Sequence, residues 1–347
     1  MAVFWKKKQF WGALIGIALL AYCVKDIRLS ELRTLAERVN LYYLVPAVVS
    51  GFVFMYFKGL RWRTIISRQK RITKTRAVTL YSTGQVLSIV MPALTGQVGR
   101  VILFSRKEDL RKTFVFSTIV LEILFDAVSL IVFMFFTSLA FAFPEKYRYL
   151  SFVVCGVTLA ALLGFYLILQ FQNQVENCGA RCFRKRWPGL YITIKKFIRS
   201  FTKGIDMLRS SQHMLGTMVH SILAWTAHML VVWFLMRSFG FELPFAAAAV
   251  VMIINTIVLM VPVTPGNAGT FEIAVSTSLA AFSVGRSDAV LFALALHLID
   301  LLPVFAYGGV FLRQEKLSLR DIKAGQEEDL IIDKIDEEGS YIEEEKV

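Results

Sequence analysis

The sequence predicts an all-α polytopic membrane protein with six full spans and two broken, re-entrant hairpins arranged as an inverted repeat. Three observations carry this fold class. Apolar runs approach the ~20 residues needed to cross a bilayer, basic residues gather between alternate runs, and the spacing Pro-x-x-x-Gly-x-x-Gly occurs twice.

The 347 residues are 56% hydrophobic and include 29 Phe, with a mean hydropathy of +0.58. That exceeds the apolar share of a water-soluble domain, and the excess is concentrated in runs at 41–57, 150–171, 214–235 and 289–312. The net charge of +13 does not mark a nucleic-acid binder, because the cations separate apolar runs instead of lining one face of a soluble domain. Lys6, Lys7 and Lys8 precede the first run, residues 58–76 hold eight Lys/Arg and no acid, and residues 172–213 hold nine Lys/Arg against Glu176 and Asp206. By the positive-inside rule all three segments face the cytoplasm.

Residues 10–24 therefore form the first, outward span. It is expected to stay uncleaved, because Tyr22 is too large for the position before a signal cleavage site. Residues 25–40 mix charge with Ile27, Leu29, Leu32, Leu35 and Ala36, which suits an amphipathic helix on the outer surface. The run at 41–57 returns inward. Residues 77–101 are apolar, yet Arg106, Lys107, Arg111 and Lys112 follow them, so this segment begins and ends on one side. Pro92, Gly96 and Gly99 interrupt it, and such backbone survives at membrane depth only when buried in protein or lining a cavity.

Residues 113–143 cross outward and 150–171 return into the basic loop. In that loop Tyr191, Ile192, Ile194, Phe197, Ile198 and Phe201 alternate with Lys195, Lys196, Arg199 and Lys203 as an amphipathic helix suited to anionic lipid. Residues 214–235 cross outward. The run at 246–261 is broken around Pro262 to Gly269 and resumes to 282; as a hairpin or as two thin spans it returns to the same side. Residues 289–312 end inside. The resulting organisation is a membrane domain over 1–316, with halves at 41–171 and 214–312, the basic loop 172–213, and an acidic cytoplasmic tail at 317–347. Both termini are placed in the cytoplasm, with the chain in the inner (cytoplasmic) membrane.

Pro92, Gly96, Gly99 and Pro262, Gly266, Gly269 share one spacing, and each set precedes a charge, Arg100 or Glu272. Interrupted segments at corresponding places in two oppositely oriented halves point to a substrate site at the repeat interface. Helix ends exposed at a break present N–H groups that suit an anion such as phosphate. Thr95, Gly96, Gln97, Gly99 and Arg100 from the first break, and Thr264, Gly266, Asn267, Gly269 and Glu272 from the second, are the candidate substrate-binding residues. Glu122 and Asp126 lie four apart on one face of an apolar span, where each costs ~2.5–3.5 kcal/mol. Arg100 is their expected counter-charge, with a structural ion pair as the competing role. His297 and Asp300, three apart on the last span, are candidates for proton transfer or charge pairing. His220 and His228 are expected to make helix-to-helix hydrogen bonds.

No metal site or cofactor is expected. Cys23 and Cys155 sit in apolar runs, and Cys178 and Cys182 have no histidines nearby to complete a zinc ligand set. No nucleophile elbow, Walker loop or dinucleotide fingerprint occurs, and segments of 42 and 35 residues outside the membrane are short for a catalytic domain.

Arg61-Trp62-Arg63, the stretch from Pro92 to Arg100, Glu122 with Asp126, and Pro262-Val-Thr264-Pro265-Gly266-Asn267-Ala268-Gly269 with Glu272 together resemble the lysylphosphatidylglycerol synthase transmembrane family. The likeness runs from about residue 10 to 315. Gln97 stands where many relatives are expected to carry an acid. The resemblance implies a membrane unit that moves a product lipid across the bilayer, here without the soluble synthase domain. The expected substrate is a phospholipid or lipid-linked anionic head group, with a separate cytoplasmic lipid-modifying enzyme as a possible partner. Two further readings stay open. One is a membrane component of a phosphatidylglycerol lysyltransferase-like enzyme or of a polyprenyl-phosphate glycosyltransferase. The other is a secondary transporter of a small organic anion. The oligomeric state is left open.

Overall fold

In the computed structural model, the described residues are 17–23, 25, 39–90, 94–140, the positions 152, 156, 159, 160, 163, 164 and 167, 210–259 and 264–314. Several sequence expectations fall outside them: Pro92 and Pro262, most of the 150–171 span, the amphipathic loop, Cys178 and Cys182, and the acidic tail. The described elements are α1 (Leu41–Ile66), α2 (Lys74–Val90), α3 (Leu94–Glu108), α4 (Lys112–Ala140), α5 (Ser211–Ser238), α6 (Phe245–Leu259), a 3-10 turn (Pro265–Asn267), α7 (Thr270–Ala280) and α8 (Arg286–Gln314). All are helical, and α1, α4, α5 and α8 are long and apolar enough to cross a membrane.

Helix α1 starts where the Asn40 side chain accepts the Tyr42 N–H at 2.9 Å, a standard way to satisfy a first-turn donor. It continues to Ile66, nine residues beyond the apolar run ending at 57, because Lys58, Arg61 and Trp62 are buried against neighbours. Helix α1 packs antiparallel to α5. At one end the Asn40 N–H donates to the Ser238 carbonyl at 2.9 Å. Towards the other end Phe57 lies against His220, and the Thr64 hydroxyl is 3.4 Å from His220 Nδ1. His220 thus makes the interhelical contact expected of it.

Helices α2 and α3 form a tight antiparallel hairpin. At its base Glu108, the last residue of α3, receives Arg76 Nε at 2.6 Å and its carbonyl takes Lys70 Nζ at 2.6 Å. Near its tip a Cβ on Gly96 would stand 2.6 Å from Ser88 Cα, so only glycine allows this backbone approach. Helix α8 runs alongside: Gly308 sits against Val86 and Thr83, and the Thr83 hydroxyl donates to the Gly308 carbonyl at 3.3 Å. The base of the hairpin, the end of α8 and the end of α1 therefore share one end of the bundle. At the opposite end Tyr22 meets Arg286 at the start of α8, and Phe239 and Phe241 at the end of α5 pack on Phe292.

The second interrupted segment is α6, the 3-10 turn and α7. Gly266, at φ 59°, turns the chain near the middle of α8 and lies against Ile89 at the end of α2. The two breaks, remote in sequence, come together there. Two apolar clusters flank this meeting point. One joins α5, α6, α7 and the first half of α8; the other joins the second half of α1 with α2, α3, the start of α4 and the end of α8. Outward faces are apolar as well: Val45, Val49, Ile123, Phe136, Leu215, Val219, Leu298 and Leu302 are exposed, as expected where the solvent is lipid.

At Gly59 a Cβ would meet Val78 Cα at 2.6 Å, so Gly59→Ala must push α1 from α2. It should cost about 1–3 kcal/mol in a detergent unfolding assay, the usual cost of overpacking. Gly216→Ala, whose Cβ would meet only Thr64 at 3.5 Å, should leave the midpoint unchanged or raise it.

Candidate functional site

The polar centre of the bundle is built around Asp126 on α4. Its carboxylate receives Lys58 Nζ at 2.8 Å on both oxygens, Arg61 through both terminal nitrogens at 2.5 and 3.2 Å, and Trp225 Nε1 at 2.8 Å. Lys58 and Arg61 are three apart, hence on one face of α1, and Trp225 comes from α5. Arg61 is fully buried and also donates to Ser221 Oγ at 3.2 Å. The Lys58 ammonium lies 4.6 Å from the Trp225 ring and 5.3 Å from that of Phe54, adding cation–π attraction.

One turn before Asp126, Glu122 accepts both of its hydrogen bonds from Arg100 Nη2, at 2.8 and 2.6 Å. The Arg100 guanidinium lies 4.7 Å from the Tyr81 ring and 5.2 Å from that of Phe104. Arg100 is thus the counter-charge of Glu122, as the sequence suggested, while Asp126 belongs to Lys58 and Arg61. Sequence reading had placed these two cations among the cytoplasmic topology markers. Their signal was present in the Arg61-Trp62-Arg63 motif and in the Lys58–Arg61 spacing, but which carboxylate they faced depends on how α1 and α4 pack.

Across this cluster three cations, Lys58, Arg61 and Arg100, face two carboxylates, Glu122 and Asp126, leaving one positive charge in excess. The Nε atoms of Arg61 and Arg100 are buried without a hydrogen-bond partner among the described residues. Buried donors of this kind are costly unless a ligand or water completes them.

At the second break Glu272 is buried on the first turn of α7. One oxygen accepts the Gly269 N–H at 2.7 Å, capping the helix. The other lies 2.7 Å from His297 Nδ1 on α8. His297 Nε2 lies 3.1 Å from the Gly266 carbonyl, and its ring stacks on Phe271 with centroids 4.3 Å apart. Because a carbonyl only accepts, Nε2 carries a proton, and the Nδ1–Glu272 contact needs a second proton held by one partner or the other. The Glu272 carboxylate and the His297 ring thus join α7 to α8 beside Gly266.

Asp300, one turn along α8, pairs instead with His228, whose Nε2 is 3.2 Å from both carboxylate oxygens. His228 stacks on Phe54 and its Nδ1 is buried without a partner. His297 and Asp300 thus belong to two different pairs. The remaining candidates are placed as follows. Thr264 is buried and donates to the Ala268 carbonyl at 2.8 Å. Asn267, at φ 57°, accepts from the Thr270 hydroxyl through its carbonyl at 2.9 Å. Gly266 and Gly269 have positive φ, whereas Gly96 and Gly99 lie inside α3; the shared spacing thus covers two different backbones. Gly99 is buried, Gln97 exposed, and Thr95 falls at the start of α3. Among the described residues, no group of three or more His, Cys, Asp or Glu is placed to hold a metal ion.

Long apolar helices with apolar outer faces around a paired ionic centre define a polytopic α-helical membrane protein. The family profile described as the lysylphosphatidylglycerol synthase TM region matches residues 9–308, and the chain belongs to that family. Similar proteins include a UPF0104 membrane protein of Pyrococcus horikoshii, 22% identical over 331 residues that cover 89% of this chain and 98% of that protein. A second UPF0104 membrane protein, from Methanothermobacter thermautotrophicus, is 20% identical over 276 residues, 75% of this chain and 81% of that protein. No solved structure matches the chain.

The Arg100–Glu122 pair gives a direct check on buried charge. Arg100→Gln alone strands Glu122 and should lower unfolding stability by about 3–5 kcal/mol. Adding Glu122→Gln removes the stranded charge and should restore most of the loss; a double variant as unstable as the sum of the singles would show that the two residues do not act as a pair.

Proposed function

We infer that this protein translocates a phospholipid or lipid-linked anionic head group across the inner membrane. The observation that carries the reading is the excess positive charge of the Lys58–Arg61–Arg100 cluster, with two buried guanidinium Nε donors left open. An anionic phosphate would neutralise the excess and complete those donors. Glu122 and Asp126 are both engaged by cations, so the cluster favours an anion.

In this reading α2–α3 is a re-entrant hairpin entered from the cytoplasmic side and α6–α7 one entered from outside, within a fold of six full spans with cytoplasmic termini. The halves at 41–171 and 214–312 would then be related as an inverted repeat. The meeting of Gly266 with Ile89 supports a shared site between them. The Glu272–His297 pair holds the second break in shape, and movement of its proton would release Gly266 and Gly269 together. That makes it the coupling element of the proposed cycle. A separate cytoplasmic enzyme would supply the lipid.

The test is lipid sidedness in proteoliposomes, using fluorescent phosphatidylglycerol, lysyl-phosphatidylglycerol, a polyprenyl phosphate sugar and phosphatidylcholine. Wild-type protein should expose at least one of the three phosphate-bearing anionic or modified lipids to an external quencher and leave phosphatidylcholine in place. Glu272→Gln keeps an oxygen for the Gly269 N–H but loses the charge facing His297; it should insert normally and abolish movement. Correctly inserted wild-type protein that moves none of these lipids would overturn the reading.

A further inference from the structure

A cleft of about 360 Å³ opens between the end of α1 and the start of α5, lined by Arg63, Thr64, Ser67, Arg71, Ile72, Gln212 and His213. We propose that it is a binding site for a phosphate group, and that it serves as the surface vestibule through which an anionic head group reaches the buried cluster. The vestibule role rests on the translocation reading; phosphate binding does not.

The lining carries two guanidiniums and an imidazole and no carboxylate. Arg63 is held in place by its Nε, which donates to the Ile72 carbonyl at 2.7 Å and leaves its two terminal nitrogens for a ligand. Arg71 is exposed and has no ion-pair partner among the described residues. A planar guanidinium fork suits two phosphate oxygens at once. Ser210 and His213 are joined at 2.8 Å between Oγ and Nδ1, which fixes the imidazole over the first turn of α5. The Ser210 side chain does not cap that turn. The Met214 N–H bonds the Ser210 carbonyl in the first turn of α5, so the positive end of that helix lies beside the arginines.

The buried cluster lies one turn of α1 away from the cleft. Thr64 lines it and contacts His220 Nδ1, while Arg61, one turn earlier on α1, bonds Ser221 and Asp126. Positions 61, 64 and 67 follow one face of α1, so the polar lining of the cleft at Thr64 and Ser67 is followed one turn deeper by buried Arg61. It opens at the end of the bundle shared with the basic segment 58–76, where anionic lipid is drawn electrostatically.

The experiment measures binding to the full chain in detergent, using short-chain phosphatidylglycerol, short-chain phosphatidylcholine and inorganic phosphate as probes. Proteins compared are wild type, Arg71→Gln, Arg63→Gln/Arg71→Gln and Arg237→Gln. Phosphatidylglycerol should bind wild type, and the double variant should weaken it by about tenfold or more, the loss expected for one charge-assisted phosphate contact. Arg71→Gln, which breaks no described hydrogen bond, should give part of that loss with unfolding unchanged. Arg237→Gln, in the last turn of α5 at the other end of that helix, should leave affinity within about twofold. Competition by inorganic phosphate would show that the phosphate itself is recognised; binding of inorganic phosphate without phosphatidylglycerol would overturn the vestibule role. Equal binding by wild type and the folded Arg71→Gln and double variants would overturn the site. If wild-type protein moves no lipid but the arginine variants still lose binding, the translocation reading fails and the cleft stands.

Discussion

The structure is organised by the need to pair Asp126. A carboxylate inside an apolar helix is tolerated only when its charge is met, and here one carboxylate draws Lys58 and Arg61 from α1 and Trp225 from α5. That requirement holds α1, α4 and α5 in one register. It also extends α1 beyond its apolar run, because the two cations that would otherwise end a span are the partners Asp126 needs. Glu122 does the same for α3 through Arg100, so α3 is tied to α4 by charge, while the packing of Gly84 on Arg100 and Phe104 holds α2 against α3.

The second half uses the same economy with different groups. Glu272 caps its own helix and engages His297, and His297 in turn secures the Gly266 carbonyl. Since Gly266 touches Ile89, the state of this pair bears on the place where both breaks meet. The polar residues of the bundle therefore form two kinds of centre: an ionic cluster with surplus positive charge, and histidine–carboxylate pairs that tie helix to helix. In the proposed translocation cycle the ionic cluster would be the attractive site and the Glu272–His297 pair the means to change it.

Much of this was legible in the sequence because hydropathy and helical spacing are local. The helices α4, α5 and α8, the interruptions near 92 and 262, the shared face of Glu122 and Asp126, and the Arg100 counter-charge all follow from residues a few turns apart. The partners of Asp126 and the separation of His297 from Asp300 were not legible. Two side chains three apart on one helix share a face, but adjacent helices crossing that face at different heights can claim them separately, as α7 claims His297 and α5 claims Asp300. Likewise, identical Pro-x-x-x-Gly-x-x-Gly spacing led to glycines inside a helix in one case and at positive φ in the other. Glycine permits both, and the packing of Gly96 on Ser88, as against the turn at Gly266, decides between them.

The surplus charge is the central claim, and Lys58→Met tests it most directly. This substitution removes one cation yet leaves Asp126 with Arg61 and Trp225 and Glu122 with Arg100, so the cluster becomes neutral without stranding a carboxylate. Lipid sidedness should be measured in proteoliposomes holding equal, correctly inserted amounts of wild type and Lys58→Met. A folded variant in which movement of the anionic lipid falls by about tenfold or more, the scale of losing one charge-assisted contact, would support the account. Movement at the wild-type rate would contradict it.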